Sequence, residues 1–117
     1  MAVVLATGGV ALLQTPAAAQ TVCVTSPDGG ATGCVSANAG QLPRASAYDG
    51  SCDGRGPTTY VKVANSNWYP VANGDGCNST KSQTISYVAQ SGNKVQIYVC
   101  NTSSGYSSCS SITSFTV

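Results

Sequence analysis

Six cysteines, Cys23, Cys34, Cys52, Cys77, Cys100 and Cys109, constrain the fold of this 117-residue chain more than any other feature. None precedes residue 23, and the stretch before it has a different character. Val3 to Leu13 is an apolar run broken only by Thr7, Gly8 and Gly9, and Pro16 and Ala17-Ala18-Ala19 follow it. The run is too short for a permanent membrane span. An apolar segment ending in a small-x-small triplet is what a signal peptidase cuts. Residues 1–19 therefore read as a signal peptide and residues 20–117 as one mature domain, although the usual basic start is absent: no Lys or Arg precedes Leu13.

An exported chain meets an oxidising compartment, where an even cysteine count reads as a disulfide framework. Spacing alone does not fix the pairing, but the loops favour one solution. Cys23 and Cys34 bracket SPDGGATG, and Cys100 and Cys109 bracket NTSSGYSS. Both stretches are turn-rich, and hairpin neighbours bring side chains close enough to bridge. Cys52 is left with Cys77. Each bridge contributes roughly 3 kcal/mol by restricting the unfolded chain. A zinc site is disfavoured, because the chain has no Cys-x-x-Cys pair and no His.

The net charge is +1, and Arg44, Arg55, Lys62, Lys81 and Lys94 are scattered singly. Nucleic acid needs a concentrated basic patch, and an anionic membrane surface needs a basic cluster. Neither partner is expected. No later segment is long and apolar enough for membrane insertion once the signal is removed.

The mature region is rich in Ser, Thr, Asn, Gly, Val and Tyr, which favour strands and turns over helices. The clearest predicted element is a hairpin of Thr84–Ala89 and Val95–Cys100 around Ser91-Gly92-Asn93. Val95, Ile97 and Val99 share one face of its second strand. Thr59–Ala64 alternates too, placing Val61 and Val63 inward and Tyr60 and Lys62 outward. Shorter candidates are Thr21–Thr25, Cys34–Ala37, Trp68–Ala72 and Ile112–Val117, with strong turns at Asp49–Gly56 and Asn73–Cys77. The expected fold is all-β: a small antiparallel β-sandwich or barrel of about seven strands stapled by three disulfides.

The chain has no His and no Glu, and its carboxylates are Asp28, Asp49, Asp53 and Asp75. Catalysis through an imidazole base is excluded, and cysteines held in disulfides are not nucleophiles. Each aspartate precedes a glycine, which is turn chemistry. The domain is thus expected not to be an enzyme, and no cofactor is expected, with calcium as the exception to consider. Asp49, Asp53, Asn73 and Asp75 are hard oxygen ligands in two loops that a Cys52–Cys77 bridge would draw together. Their spacing matches no established calcium loop, and plain turns account for them as well.

Among the aromatic residues, Trp68, Tyr69, Tyr60 and Tyr98 are the candidate ligand-binding positions. Rings beside Asn, Ser and Gln suit the apolar face and hydroxyls of a sugar. The bland alternative makes Trp68 the core anchor, with the tyrosines covering a sheet. Arg44 and Arg55 occupy constrained loops of the kind an inhibitor offers to a protease. Asn78-Ser79-Thr80 and Asn101-Thr102-Ser103 fit the N-glycosylation pattern.

The chain resembles small secreted actinobacterial disulfide-containing β proteins. The residues that carry this are the Cys23-x10-Cys34 hairpin, Tyr60-Val61-Lys62-Val63, Gly74-Asp75-Gly76-Cys77, Val95-x-Ile97-Tyr98-Val99-Cys100 and the Cys109-Ser110 end. The resemblance implies a compartment and a fold class but no activity. Gly33–Gly40 is loosely similar to segments of secreted βγ-crystallin-like antimicrobial proteins, whose calcium motif is not evident here. The expectation is a secreted, non-catalytic binding module for a glycan, cell-envelope or other extracellular protein partner. The alternatives are an enzyme inhibitor or antimicrobial effector, and a self-associating structural protein.

Overall fold

A computed structural model describes residues 19–117, so the expected signal peptide lies, but for Ala19, outside the described residues. Nine strands follow in order: β1 Gln20–Thr25, β2 Ala31–Ala37, β3 Arg44–Asp49, β4 Gly56–Val63, β5 Tyr69–Ala72, β6 Ser79–Thr84, β7 Lys94–Ser103, β8 Tyr106–Cys109 and β9 Thr113–Thr116. They form two antiparallel sheets, β1-β2-β3-β6 and β5-β4-β7-β8, with β9 also paired to β7. The all-β expectation holds, with nine strands rather than about seven. The strands make two open sheets and do not close into a barrel.

Period-two alternation builds the core between the sheets. From the first sheet come Gly33, Val35, Ala37, Ala45 and Ala47, and from the second come Val61, Val63, Val71, Val95, Ile97 and Val99, all buried. Small residues on one side face β-branched ones on the other, so the layers approach closely. Gly33 shows how close the approach is: a Cβ there would lie 2.5 Å from Thr59 Oγ1 and 3.1 Å from Val99 Cβ. The buried Thr59 hydroxyl is satisfied across the layers, donating to Ser46 O at 2.9 Å. Among the described residues no aromatic ring is buried, and Ile85 and Ile97 are the largest fully buried side chains. Trp68 is therefore not the core anchor.

The hairpin expected from Thr84–Ala89 and Val95–Cys100 does not form. β6 lies earlier and pairs with β3 in the other sheet, running from Asp49↔Ser79 to Arg44↔Thr84. The chain then crosses between sheets, and Ile85 and Ala89 are fully buried, closing one end of the core. Ile85 N–H donates to Pro43 O, and Ala89 bridges Gln41. Two apolar residues four apart serve as plugs here, although Ile85, Tyr87 and Ala89 also fit a strand pattern. β6 itself is an edge. Lys81 and Gln83 stand opposite the core residues Ala47 and Ala45 yet remain exposed, so polar side chains guard that rim.

The disulfides join Cys23 to Cys34, Cys52 to Cys77 and Cys100 to Cys109, the pairing that the turn-rich loops favour. Cys23–Cys34 and Cys100–Cys109 are directly opposed cross-strand pairs, with Cα atoms 4.1 and 4.0 Å apart. Cys52–Cys77 ties the β3–β4 loop to the β5–β6 loop. No helix of the described residues is long and apolar enough to cross a membrane. Three disulfides in so small a domain are consistent with an extracellular location.

Candidate functional site

On the second sheet, the side chains that do not face the core form an outer surface with aromatic residues at its centre. Tyr60 of β4 stands opposite Tyr98 of β7, and Pro70 of β5 stands opposite Tyr60, giving one row across three strands. The rings of Tyr60 and Tyr98 stack with centroids 4.7 Å apart. Trp68, just before β5, meets Tyr98 edge-on at 5.0 Å. Lys62 and Gln96 form the next pair along the same face. The Lys62 ammonium lies 6.0 Å from the Trp68 ring centre, at the outer limit of a cation–π contact. Tyr60, Tyr98, Trp68, Lys62 and Gln96 are half-buried and Pro70 is exposed, so the rings are held in place while the rim stays open.

A groove opens beside this row because the partner strand of β7 is interrupted there. β8 pairs along Cys100–Ser103 and β9 along Lys94–Ile97. Between them, the segment from Cys109 to Thr113 is one residue longer than the Ile97–Cys100 stretch it opposes. An extra residue of this kind bulges a strand and re-aims its side chains. Ser110 anchors the bulge, its N–H donating to Val99 O and its hydroxyl accepting from Val99 N–H. Ser111 and Ile112 are thrown outward, and Ile112 is 52% exposed. The result is a groove of about 380 Å³ lined by Trp68, Tyr98, Cys109, Ser110, Ser111 and Ile112. Burial, and secondarily the neighbouring Tyr60, raises the Tyr98 phenol above the ordinary tyrosine value.

The structure thus brings three of the four expected ligand-binding positions together. Tyr69 is separated from them: it pairs with the inward Val61 and packs against the core on the other side of the sheet. The bulge residues Ser110, Ser111 and Ile112 were not marked by sequence, since their prominence depends on a register mismatch between distant strands.

At one end of the molecule lie the residues considered for calcium. The Cys52–Cys77 bridge does converge the two loops, around a cleft of about 490 Å³ that Asp49, Asn73 and Arg55 help to line. Several of the polar atoms there are engaged internally. The buried Asn73 donates to Ala47 O and Ser79 O, and its Oδ1 accepts from Asp75 N–H. Asp49 Oδ1 accepts from Ser51 N–H. Asp53 turns away toward Asn101 and Arg55. Among the described residues no three His, Cys, Asp or Glu side chains gather closely enough to hold a metal ion.

The same end contains a polar hub centred on Asp28. Its carboxylate accepts from the Ser26 hydroxyl, Gly30 N–H, Asn101 Nδ2 and the Tyr106 hydroxyl. Those donors, Ser26 foremost and opposed by partial burial, hold Asp28 well below the usual carboxylate range. Asn101 Nδ2 also donates to Asp53, which is held low chiefly by Arg55 N–H. The Arg55 guanidinium lies 3.6 Å over the Tyr106 ring, held against the domain rather than presented from a free loop. Asn101 is fully buried, so the second glycosylation pattern is inaccessible, whereas Asn78 is exposed.

Comparison with family models, with curated proteins and with solved structures finds no match to this chain.

Proposed function

We propose that this is a secreted, non-catalytic β-sandwich module that binds a glycan on the outer face of the β5-β4-β7 sheet. The observation that carries the reading is the row of Tyr60, Tyr98 and Trp68, locked by mutual packing and opening onto the bulge groove. Tyr and Trp give large contact area at low entropic cost, and their rings match the C–H face of a pyranose. Gln96, Ser111 and Lys62 supply hydrogen-bonding groups at the rim. The lack of any imidazole in the chain supports holding over cutting.

The test is a glycan array followed by titration of the hits, with Tyr98→Ala and Trp68→Ala as variants. Each variant weakens binding at least tenfold while the far-ultraviolet spectrum and melting temperature stay close to wild type. A blank array at high protein concentration, or hits indifferent to both substitutions, overturns the reading.

A further inference from the structure

We infer, on the footing of the glycan reading, that the saccharide taken by this face is acidic. The argument comes from how charge is distributed over the fold. Every carboxylate side chain of the chain belongs to one end of the strands. Asp28 sits in the β1–β2 turn, Asp49 at the end of β3, Asp53 in the β3–β4 loop and Asp75 in the β5–β6 loop. Cross-links among these loops confirm that they share an end: Gly50 N–H donates to Gly30 O, Asn78 N–H to Asp49 O, and Asn101 joins Asp28 to Asp53. Lys62 and Lys94, by contrast, lie toward the opposite end, near where β4 stops and β7 begins.

Alternation along β4 and β7 puts Lys62, Lys94, Gln96, Tyr60 and Tyr98 on one face. That face carries two ammonium groups and no carboxylate side chain. Neither lysine has a salt-bridge partner, since the one ion pair among the described residues is Arg55–Asp53. Lys62 is two residues along the strand from Tyr60, about 7 Å away, a distance a lysine stem covers. An acidic group on a sugar stacked against Tyr98 and Trp68 therefore comes within reach of Lys62, and the next residue of the chain within reach of Lys94. Exposed pairs of this kind give modest selectivity that salt erodes, so the rings supply most of the affinity and the lysines choose among sugars.

The experiment measures binding of the whole protein to a matched panel of oligogalacturonate, oligoalginate and hyaluronan fragments. Each is offered with free carboxylates and as its methyl ester. The free acid of at least one member is expected to bind about tenfold more tightly than its ester. The advantage shrinks about threefold in Lys62→Gln and again in Lys62→Gln/Lys94→Gln, and it fades in high salt. Tyr98→Ala abolishes binding of acid and ester alike. Equal binding of acid and ester overturns the inference and leaves the glycan reading standing. Acid binding that survives Tyr98→Ala is plain polyanion adsorption and also overturns it. No binding of any member, together with a blank array of neutral glycans, removes both.

Discussion

Tyr60 and Tyr98 are stacked across neighbouring strands at 4.7 Å with an interplanar angle of 15°. Burial, then the proximity of Tyr60, disfavours the ionised form of Tyr98. A group whose pKa is raised by folding contributes stability that is complete below its unfolded value, about 10 for tyrosine, and is lost as pH rises through the raised value. An ultraviolet titration of wild type should include a late step, above the ordinary tyrosine value, that belongs to Tyr98. Tyr98→Phe should remove that late step and flatten the fall of stability above pH ~10. A late step that persists in the variant contradicts the assignment.

Asp28 carries the opposite dependence. Its folded pKa is depressed, so its contribution is present above the unfolded value of about 3.9 and is lost as pH falls below it. Chemical denaturation between pH ~5 and ~2 should give a steeper loss for wild type than for Asp28→Asn. At neutral pH the substitution should cost no more than about 1 kcal/mol, because Ser26, Tyr106 and the buried Asn101 lose a charged acceptor that solvent already screens. Identical acid profiles for the two proteins would show that the hub is energetically idle.

Gly33→Ala tests the contact between layers. The new methyl would meet Thr59 and Val99, neither of which can retreat from the middle of a packed strand. A cost of roughly 1–3 kcal/mol is expected, lowering the melting temperature by on the order of 10 °C in calorimetry. Gly29, with a positive φ and open space around it, is a control at which any loss comes from backbone strain and not from the interface.

Lys81 guards the rim of β6. Replacing it with Val removes the charge from this edge and places an apolar β-branched side chain opposite Ala47, next to unpaired backbone groups. Sedimentation velocity should show Lys81→Val associating at concentrations where wild type does not, and Lys81→Glu behaving as wild type. Equal behaviour of all three would mean that some other feature protects the edge.

Legibility of the fold in the sequence followed side-chain branching. β4 and the middle of β7 were plain because Val61, Val63, Val95, Ile97 and Val99 alternate with polar residues. β3, whose buried positions are two alanines and Asp49, and β6, built only of Ser, Thr, Lys and Gln, lack that contrast, so the chain offers no local sign of them. The disulfide pairs Cys23–Cys34 and Cys100–Cys109 were readable because each closes its own turn. In the candidate site, Tyr60 and Tyr98 were readable from alternation alone. The groove was not, since it arises where β8 and β9 fall out of register along one strand. The Asp28 hub was equally hidden: its contact with Asn101 joins residues 73 apart through folding alone.

Because the core holds no buried aromatic ring, the chain's single tryptophan reports on something other than burial. Trp68 rests on Tyr98 at the lip of the groove, where an arriving molecule would displace water from its ring. Its emission is thus a built-in optical gauge of occupancy. The interior itself, which that ring does not touch, is watched by calorimetry or by amide exchange.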